Sequence, residues 1–509
     1  MIGDSGQWTV GIWNLEATNN NKVIDKHMTT ASISKLSDLL ECIDLPVDWI
    51  GLRKTREVAT VRSARDGMPQ NNSQTISEGV MVEVLVNGQI GYGATNILTI
   101  KGVQTAASAA YHQAIAASAY RIHPITTAQR PKVIGQYVSP TLQPFNTLSP
   151  GEISEQLSKI CHTLKVGEKI VQTSATIITR ELETWFVSSN GSDVYQKFLL
   201  MTTDYAATAQ DGAIIQHRSD RGGLARCYQG GMEHFFTPDL WTRVQQVGEQ
   251  AVELLTAMEC PTETTTLVLA PDQLLLQIHE SIGHPLELDR ILGDERNYAG
   301  GSFVKPSDFG NLVYGSPLMN ITFDPTVAGE FASYSFDDTG ATATREYLIR
   351  DGILERGLGS LESQSRLDLP GVACSRACSW NRPPIDRMAN INLEPGDKSF
   401  DQIIGGIDRG IYMESNRSWS IDDQRHKFQF SCEYAKLIED GKLTQTIRNP
   451  NYRGITPQFW GNLEQVGNAN TWEMYGSPFC GKGEPNQIVW VGHGAPVAAF
   501  SNIEIFGGD

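Results

Sequence analysis

The sequence predicts an α+β fold. An N-terminal antiparallel sheet with helices precedes a mostly antiparallel C-terminal β region, a curved sheet or partial barrel, which carries one short buried helix. Paired residues typical of hairpin turns recur between runs of alternating apolar and polar residues. Segments with helical periodicity separate these runs. Hairpin turns are predicted at Asn87-Gly88, Asp351-Gly352 and Asp440-Gly441, and a further turn at Asn190-Gly191.

The first predicted domain spans residues 1–123 and mixes helices with strands. Residues 1–28 are interpreted as a strand or an arm with exposed tryptophans. Apolar residues at helical spacing predict a helix over 31–43, and alanines predict another over 103–120. Valine-rich alternation predicts strands over 57–62 and 79–86, which the Asn87-Gly88 turn continues into a hairpin.

A proline-rich connector over 123–150 leads into the second predicted domain, 124–235. It ends in Ser149-Pro150-Gly151-Glu152, a capping box with proline at the first helical position, which predicts a helix to Leu164. Alternating segments then predict an antiparallel unit. Its strands are expected over 169–182, 184–187 and 194–203.

The third predicted domain, 236–509, begins with a helix at Thr237-Pro238 and a buried strand over 265–269. Pro271-Asp272 then begins the short buried helix. Two later hairpin turns predict antiparallel strands around it. Exposed edges of such strands would hold an extended peptide by adding a strand.

Composition and charge exclude several classes of protein. The 509 residues are 40% hydrophobic, enough for substantial cores, and a net charge of −17 argues against nucleic acid as a partner. There is no run of 18 apolar residues and no basic, apolar start, so we expect neither a membrane span nor a signal peptide. Eight scattered cysteines favour reduced thiols and a cytoplasmic location. Cys374 and Cys378 lack a second pair at zinc-finger spacing, so we interpret them as incidental thiols.

The strongest chemical signal is His279-Glu280-Ser281-Ile282-Gly283-His284, just after an apolar run that ends at Leu276. Two imidazoles and a carboxylate this close predict metal binding with acid/base chemistry, although two core histidines beside a helix-end charge would give the same pattern. Zinc-peptidase motifs space the histidines four apart, whereas a spacing of five turns the rings about 140° apart on an ideal helix. We expect Gly283 to break the helix and Pro285 to force His284 out of the helical region, so that its ring turns back.

A catalytic zinc site usually has three protein ligands, so the sequence must supply one more. The best candidate is Cys480 in Ser477-Pro478-Phe479-Cys480-Gly481-Lys482-Gly483, where glycines permit close approach and Lys482 would favour a thiolate. A lone cysteine of this kind is otherwise a small buried hydrophobic residue.

These residues resemble the TldD/PmbA family of metallopeptidases. The resemblance rests on the histidine motif with Leu286-Glu287 after it and on Cys480-Gly481-Lys482. It is closer to the TldD type, because PmbA (TldE) subunits generally lack the metal motif. Pro285 departs from the arginine of many members. Further agreement lies in Gly88-Gln89-Ile90-Gly91-Tyr92-Gly93, Asp337-Asp338-Thr339-Gly340, Arg387-Met388-Ala389-Asn390 and Pro395-Gly396.

The resemblance implies a zinc peptidase with His279, His284 and Cys480 as ligands and Glu280 as the general base. It also implies an enclosed active site, short or unfolded peptide substrates, and a PmbA/TldE-type partner in a heterodimer, with a homodimer as the alternative. Two other functions compete with this one. A non-catalytic peptide-binding or scaffold subunit would keep a structural metal, and a metal-dependent amidase would act on small molecules.

Other side chains are candidates for supporting roles. Tyr412 and His493 are possible hydrogen-bond donors to a developing oxyanion, or else a strand residue and a surface histidine. Glu287 and Asp289 are candidates to orient the metal-binding rings, or else are solvated acids. The Asp337-Asp338 pair would shape a substrate cleft, or else consists of turn residues before Gly340.

Overall fold

The computed structural model describes residues 35–508. The expected strand or arm over 1–28 lies outside them, as does the start of the helix predicted over 31–43. The α+β class is confirmed, and the strands form two large sheets with smaller ones beside them. No helix in this described range is long and apolar enough to cross a membrane.

The first large sheet has the strand order β3-β2-β1-β5-β6-β4, and β7 and β8 also pair with β6. It takes strands from both sides of residue 123, and the division into domains at 123 and 235 stays a prediction. In the described part of this half there are four helices. The elements are β1 Trp49–Arg65, β2 Met68–Val86, β3 Gln89–Thr95, β4 Ile134–Val138, β5 Ile170–Ser188, β6 Asp193–Asp211, β7 Ile214–Ser219, β8 Arg226–Gln229, α1 Leu36–Glu41, α2 Ile100–Ser118, α3 Pro150–Leu164 and α4 Leu240–Leu254.

The strands of this sheet are longer than the sequence predicts. The segments predicted as 169–182 and 184–187 form the single strand β5, because Glu183 lies within the sheet and accepts a hydrogen bond from Tyr195 of β6 at 2.7 Å. The capping box at Ser149 and Glu152 is confirmed at the start of α3. Helix α2 packs against β3 so closely that a side chain at Gly91 would lie 2.0 Å from the carbonyl oxygen of Ala110.

The second large sheet contains a closed five-stranded barrel in the order β17-β10-β24-β20-β18, closed by pairing of β17 with β18. It is therefore more complete than the curved sheet or partial barrel that the sequence predicts. Within the barrel one pair, β10 with β17, is parallel, and outside it β9 pairs in parallel with β19. The elements of this half are β9 Met258–Glu259, β10 Glu263–Leu269, α5 Pro271–Ile278, α6 Leu288–Leu292, β11 Ile321–Phe323, β12 Glu346–Arg350, β13 Ile353–Leu354, α7 Leu361–Leu367, β14 Ser375–Arg376, β15 Ile385–Asp386, β16 Ile391–Leu393, α8 Phe400–Gly405, β17 Arg409–Ile421, β18 Lys427–Glu439, β19 Lys442–Arg448, β20 Pro450–Ile455, α9 Thr456–Gly461, β21 Leu463–Val466, β22 Glu473–Lys482, β23 Gln487–Ala495 and β24 Ala498–Gly507.

Helix α5 follows barrel strand β10 directly and lies against the β22–β23 hairpin. All eight residues of α5 are buried. The core around it includes Leu274, Ile278 and Ile282, which are fully buried with the apolar residues of the barrel. Because both the helix and the hairpin pack into this core, side chains from distant parts of the chain meet on a rigid base.

Candidate metal centre

The histidine motif lies on a turn of π-helix that continues α5. Residues His279–Gly283 form this turn, and the amide of His284 donates a hydrogen bond to the carbonyl oxygen of His279. Such i to i+5 bonding stacks residues five apart on one face of the helix. The π turn therefore brings the two rings together without a break, and their centroids lie 4.8 Å apart.

Two expectations about this turn are wrong. His284 keeps a helical backbone, with φ −62° and ψ −42°, so Pro285 does not force it out of the helical region. The widened turn supplies the needed rotation instead. Gly283 also stays helical, and its missing side chain makes space, since a Cβ there would lie 2.0 Å from Sδ of Met388.

The structure brings Cys480 to the two histidines. The ligand atoms of His279, His284 and Cys480 all lie within 4.8 Å of one another, and Cys480 Sγ is 3.9 Å from His284 Nε2. All three side chains are buried. Cys480 lies on β22 next to a register shift between Ser477 and Cys480.

These three donors fit a divalent cation of the zinc type. Two imidazole nitrogens and one thiolate are a usual zinc donor set. Bonds of about 2.0 Å to nitrogen and about 2.3 Å to sulfur place tetrahedral donors roughly 3.5 Å apart. The 3.9 Å between Cys480 Sγ and His284 Nε2 is close to this value, and all three donor atoms lie within 4.8 Å of one another.

Hydrogen bonds fix which nitrogen of each ring faces the cluster. Nδ1 of His284 lies 3.0 Å from a carboxylate oxygen of Glu287, which accepts its proton. Nδ1 of His493 lies 3.1 Å from the carbonyl oxygen of Ile391, so Nε2 of His493 accepts from Nδ1 of His279 at 2.9 Å. In their neutral forms, both metal-candidate histidines therefore present Nε2 without a proton to the cluster. Since both nitrogens of His493 are engaged, it is not available as the oxyanion donor that the sequence suggested.

A buried charge network lies behind His284. Lys482 donates to both oxygens of Asp289, at 2.6 and 2.8 Å, and lies 3.5 Å from Glu287. Glu287 also accepts from Arg290 at 3.2 Å. Burial alone would raise the pKa of Glu287, but Lys482 and His284 hold this pKa well below its ordinary value. Glu287 therefore orients a ring as expected, whereas Asp289 pairs with Lys482 instead.

The thiol of Cys480 is tuned by a different cation from the one that the sequence suggested. Burial opposes ionisation of the thiol, but Arg387 and His284 lower its pKa below the ordinary value. Arg387 donates to the Cys480 carbonyl oxygen at 2.6 Å. Lys482, the expected cation, is engaged by the acids behind His284.

Glu280 lies beside the cluster, buried and paired with an arginine. Nη1 of Arg425 donates to a Glu280 oxygen at 2.6 Å. Burial would raise the pKa of Glu280, but His284, His279 and Arg425 hold it below its ordinary value, so the carboxylate is ionised. Sequence reasoning missed Arg425, because nothing in the tip of the β17–β18 hairpin marks one of its charged residues as a site residue.

Glu280, both histidines and Cys480 line one cavity of about 400 Å³. Apolar residues of α5 form part of its wall, and Arg425 lies among its polar lining. Two aromatic side chains, Trp419 and Phe479, also line it while remaining 56% and 47% exposed. The cavity thus combines buried polar groups with apolar, partly exposed surface.

Two further predicted candidates lie elsewhere. The hydroxyl of Tyr412 donates to Glu414 at 3.2 Å and its ring packs on Phe400, so Tyr412 is not an oxyanion donor at this site. Asp337 accepts from the amides of its own turn, and Asp338 pairs with Arg53 at 2.8 Å. These contacts agree with the turn interpretation of the pair, and neither residue lines the cavity that contains Glu280 and the two histidines.

The fold and the cluster define an α+β protein with a buried His/His/Cys cluster, formed where a π turn meets strand β22, next to an ionised carboxylate. The family model described as the PmbA/TldA metallopeptidase C-terminal domain matches residues 262–507, and the model of domain 1 matches residues 53–114. The chain belongs to the PmbA/TldD family of metallopeptidases.

Individual relatives agree with this assignment. A protein named metalloprotease from Methanothermobacter thermautotrophicus is 27% identical, over 93% of this chain and 98% of its own length. A metalloprotease TldD homolog from Haemophilus influenzae is 23% identical, over 97% of this chain and 99% of its own length. The crystal structure of TldE from Thermococcus kodakarensis superposes with a TM-score of 0.71 at 15% identity, covering 92% of this chain and 98% of that one, which shows the shared fold.

Proposed function

We propose that this protein is a zinc-dependent metallopeptidase that hydrolyses peptide bonds in short or unfolded polypeptides. His279, His284 and Cys480 would hold the metal, and Glu280 would act as the general base. The observation that carries the proposal is the convergence of these four buried side chains on one cavity. A purely structural metal site needs no carboxylate base beside it.

The bound cation would supply Lewis acidity toward water and the substrate carbonyl. Glu280 would accept a proton from water as the water oxygen bonds to the carbonyl carbon. The carbon–nitrogen bond then breaks, and Glu280 passes the proton to the leaving amine. The low pKa of Glu280 keeps it ionised and able to accept this proton.

The cavity supports the choice of substrate. About 400 Å³ accommodates a few residues of an extended chain, but not the surface of a folded domain. Partly exposed Trp419 and Phe479 offer apolar contact to side chains on either side of the cleaved bond. Unfolding a substrate should therefore speed its cleavage, which a disulfide-intact protein and its reduced, alkylated form would measure as a pair.

We extend the proposal to a cytoplasmic location and to a partner. All eight cysteines are free thiols, which suits a reducing compartment. Membership of this family supports pairing with a PmbA/TldE-type subunit, with a homodimer as the alternative. Light scattering of the purified chain, alone and mixed with such a subunit, would separate the two assemblies.

The direct test of the function is Glu280→Gln. We expect peptide hydrolysis to fall by at least about 10²-fold, the size of a general-base contribution, while bound zinc stays at the wild-type level. Glu504→Gln, which removes an exposed acid far along the chain, is the matched control and should leave activity unchanged. Undiminished hydrolysis by Glu280→Gln would rule out Glu280 as the general base, whereas a zinc-loaded wild type without peptide hydrolysis would favour the non-catalytic scaffold.

A further inference from the structure

We propose that Arg425 is a further catalytic residue, which donates hydrogen bonds to the substrate carbonyl oxygen as negative charge develops there. The proposal rests on the peptidase function proposed above. A thiolate ligand donates charge to the cation and makes it a weaker Lewis acid than a site of neutral histidines. Additional stabilisation of that oxygen therefore has to come from hydrogen-bond donors of the protein.

The donors that the sequence suggested are engaged elsewhere. His493 uses one nitrogen on the carbonyl of Ile391 and the other on His279. Tyr412 bonds to Glu414 and packs against Phe400. Neither residue lines the cavity that Glu280 lines.

Arg425 has the location and the spare donors that this role requires. Its guanidinium lines the same cavity as Glu280 and the three metal-candidate residues, and its side chain is 16% exposed. Guanidinium has five N–H donors, and the contact with Glu280 uses Nη1. Within residues 35–508 its buried Nε has no hydrogen-bond partner. A planar fork that lines the cavity beside the base, with one of its five N–H donors used on Glu280, is suited to a carbonyl oxygen that gains charge.

The loop that carries Arg425 is held from two sides. The amides of Gly301 and Phe303 donate to the carbonyl oxygens of Asp423 and Gln424, at 2.9 and 2.8 Å. The hydroxyl of Thr456 donates to the carbonyl oxygen of Arg425 at 3.1 Å. A donor fixed before the reaction costs little reorganisation during it, which is the condition for oxyanion stabilisation.

The experiment compares zinc-loaded wild type with Arg425→Ala and Arg425→Lys. For Arg425→Ala we expect kcat to fall about 10²- to 10³-fold with KM changed less than about threefold, because the lost contact forms as charge develops. The kcat of Arg425→Lys should lie between those of wild type and Arg425→Ala, since lysine keeps the positive charge without the planar guanidinium group. Guanidinium added to the solution should partly restore the kcat of Arg425→Ala.

A binding measurement on the same proteins does not depend on turnover. A phosphinic peptide carries an anionic oxygen where the carbonyl oxygen would gain charge. Its affinity for Arg425→Ala should fall at least about 30-fold, while affinity for the neutral product peptide changes less than about threefold. Arg453→Ala, which breaks an exposed ion pair with Glu504 on the barrel, is the control and should change neither.

Three results would overturn the assignment. Unchanged kcat in Arg425→Ala removes the role. A rise in kcat would instead mean that the ion pair with Arg425 restrains Glu280 and limits its action as the base. The role of Arg425 would be structural if the affinities for the phosphinic peptide and for the product fell equally, and if Arg425→Ala and Arg425→Lys both lost zinc or had a lowered Tm. If wild type itself neither cleaves peptides nor binds the phosphinic peptide, the proposed function fails with it, and this outcome is distinguishable because it precedes any substitution.

Discussion

Nε2 of His493 lies 2.9 Å from Nδ1 of His279, in a chain of hydrogen bonds that starts at the backbone carbonyl of Ile391. The carbonyl can only accept, so it sets the tautomer of His493, which in turn sets that of His279. The state of a proposed metal ligand is thus fixed by a backbone atom two hydrogen bonds away.

His493→Ala should weaken zinc binding by about 10- to 100-fold, because His279 loses the acceptor that orients its ring. Competition with a chromophoric chelator would measure the affinity. His217→Ala is the control, since His217 is half-exposed on β7 and its ring contacts Thr208. An unchanged zinc affinity in His493→Ala would show that the ring contact does not orient the ligand.

Gly283→Ala should destabilise the protein by about 1–3 kcal/mol, because the added methyl would lie 2.0 Å from Sδ of Met388 in a fully packed region. Met388→Ala opens space at that contact. The double variant should therefore lose less stability than the sum of the single ones, a coupling that urea unfolding would measure. Additive losses would mean that Gly283 does not serve to admit Met388.

Lys482→Met should cost about 3–5 kcal/mol of unfolding free energy. The ammonium group is fully buried, and its removal leaves Glu287 and Asp289 without their shared cation. Lys442→Met, at an exposed position on β19, is the matched control and should change stability by less than about 0.5 kcal/mol. Equal effects of the two substitutions would contradict the network described behind His284.

The effect of pH on stability should report Asp272. Burial raises its pKa to about 6, with Arg221 and Arg218 opposing the rise and Glu414 adding to it. The folded state therefore binds this proton more tightly than the unfolded state, and the stability it contributes is full below about pH 4 and lost as pH rises through about 6. Asp272→Asn should consequently gain stability relative to wild type between pH 4 and 7. Chemical unfolding at several pH values would measure the difference, and a difference that does not change with pH would argue against the raised pKa.

Parts of this site were predictable because their signals are local. The histidine pair, Glu280 and the glycine-flanked Cys480 carry the chemistry of a metal site in short motifs, and Asn87-Gly88 and Asp440-Gly441 fix hairpins through their own backbone preferences, with φ near 50° at Asn87 and Asp440. The π turn was not predictable, because α and π turns of the same residues differ by hydrogen-bond register and not by composition. Closure of the barrel depends on the pairing of β10 with β17, about 145 residues apart in sequence.

Arg425 illustrates the same limit at the site. Its proposed role depends on the contact between a hairpin tip and a helix end 145 residues earlier in the chain. The sequence suggests His493 and Tyr412 as possible donors, with a surface histidine and a strand residue as the alternatives. Their hydrogen-bond partners, Ile391 and Glu414, decide that neither is free to act.

The central claim is that two imidazoles and one sulfur bind a single cation, and X-ray absorption at the zinc edge of the purified, zinc-loaded protein tests it most directly. We predict one sulfur scatterer at about 2.3 Å with imidazole nitrogens at about 2.0 Å, and loss of the sulfur shell in Cys480→Ser. A spectrum without sulfur in the wild type, or an unchanged sulfur shell in Cys480→Ser, would contradict the site.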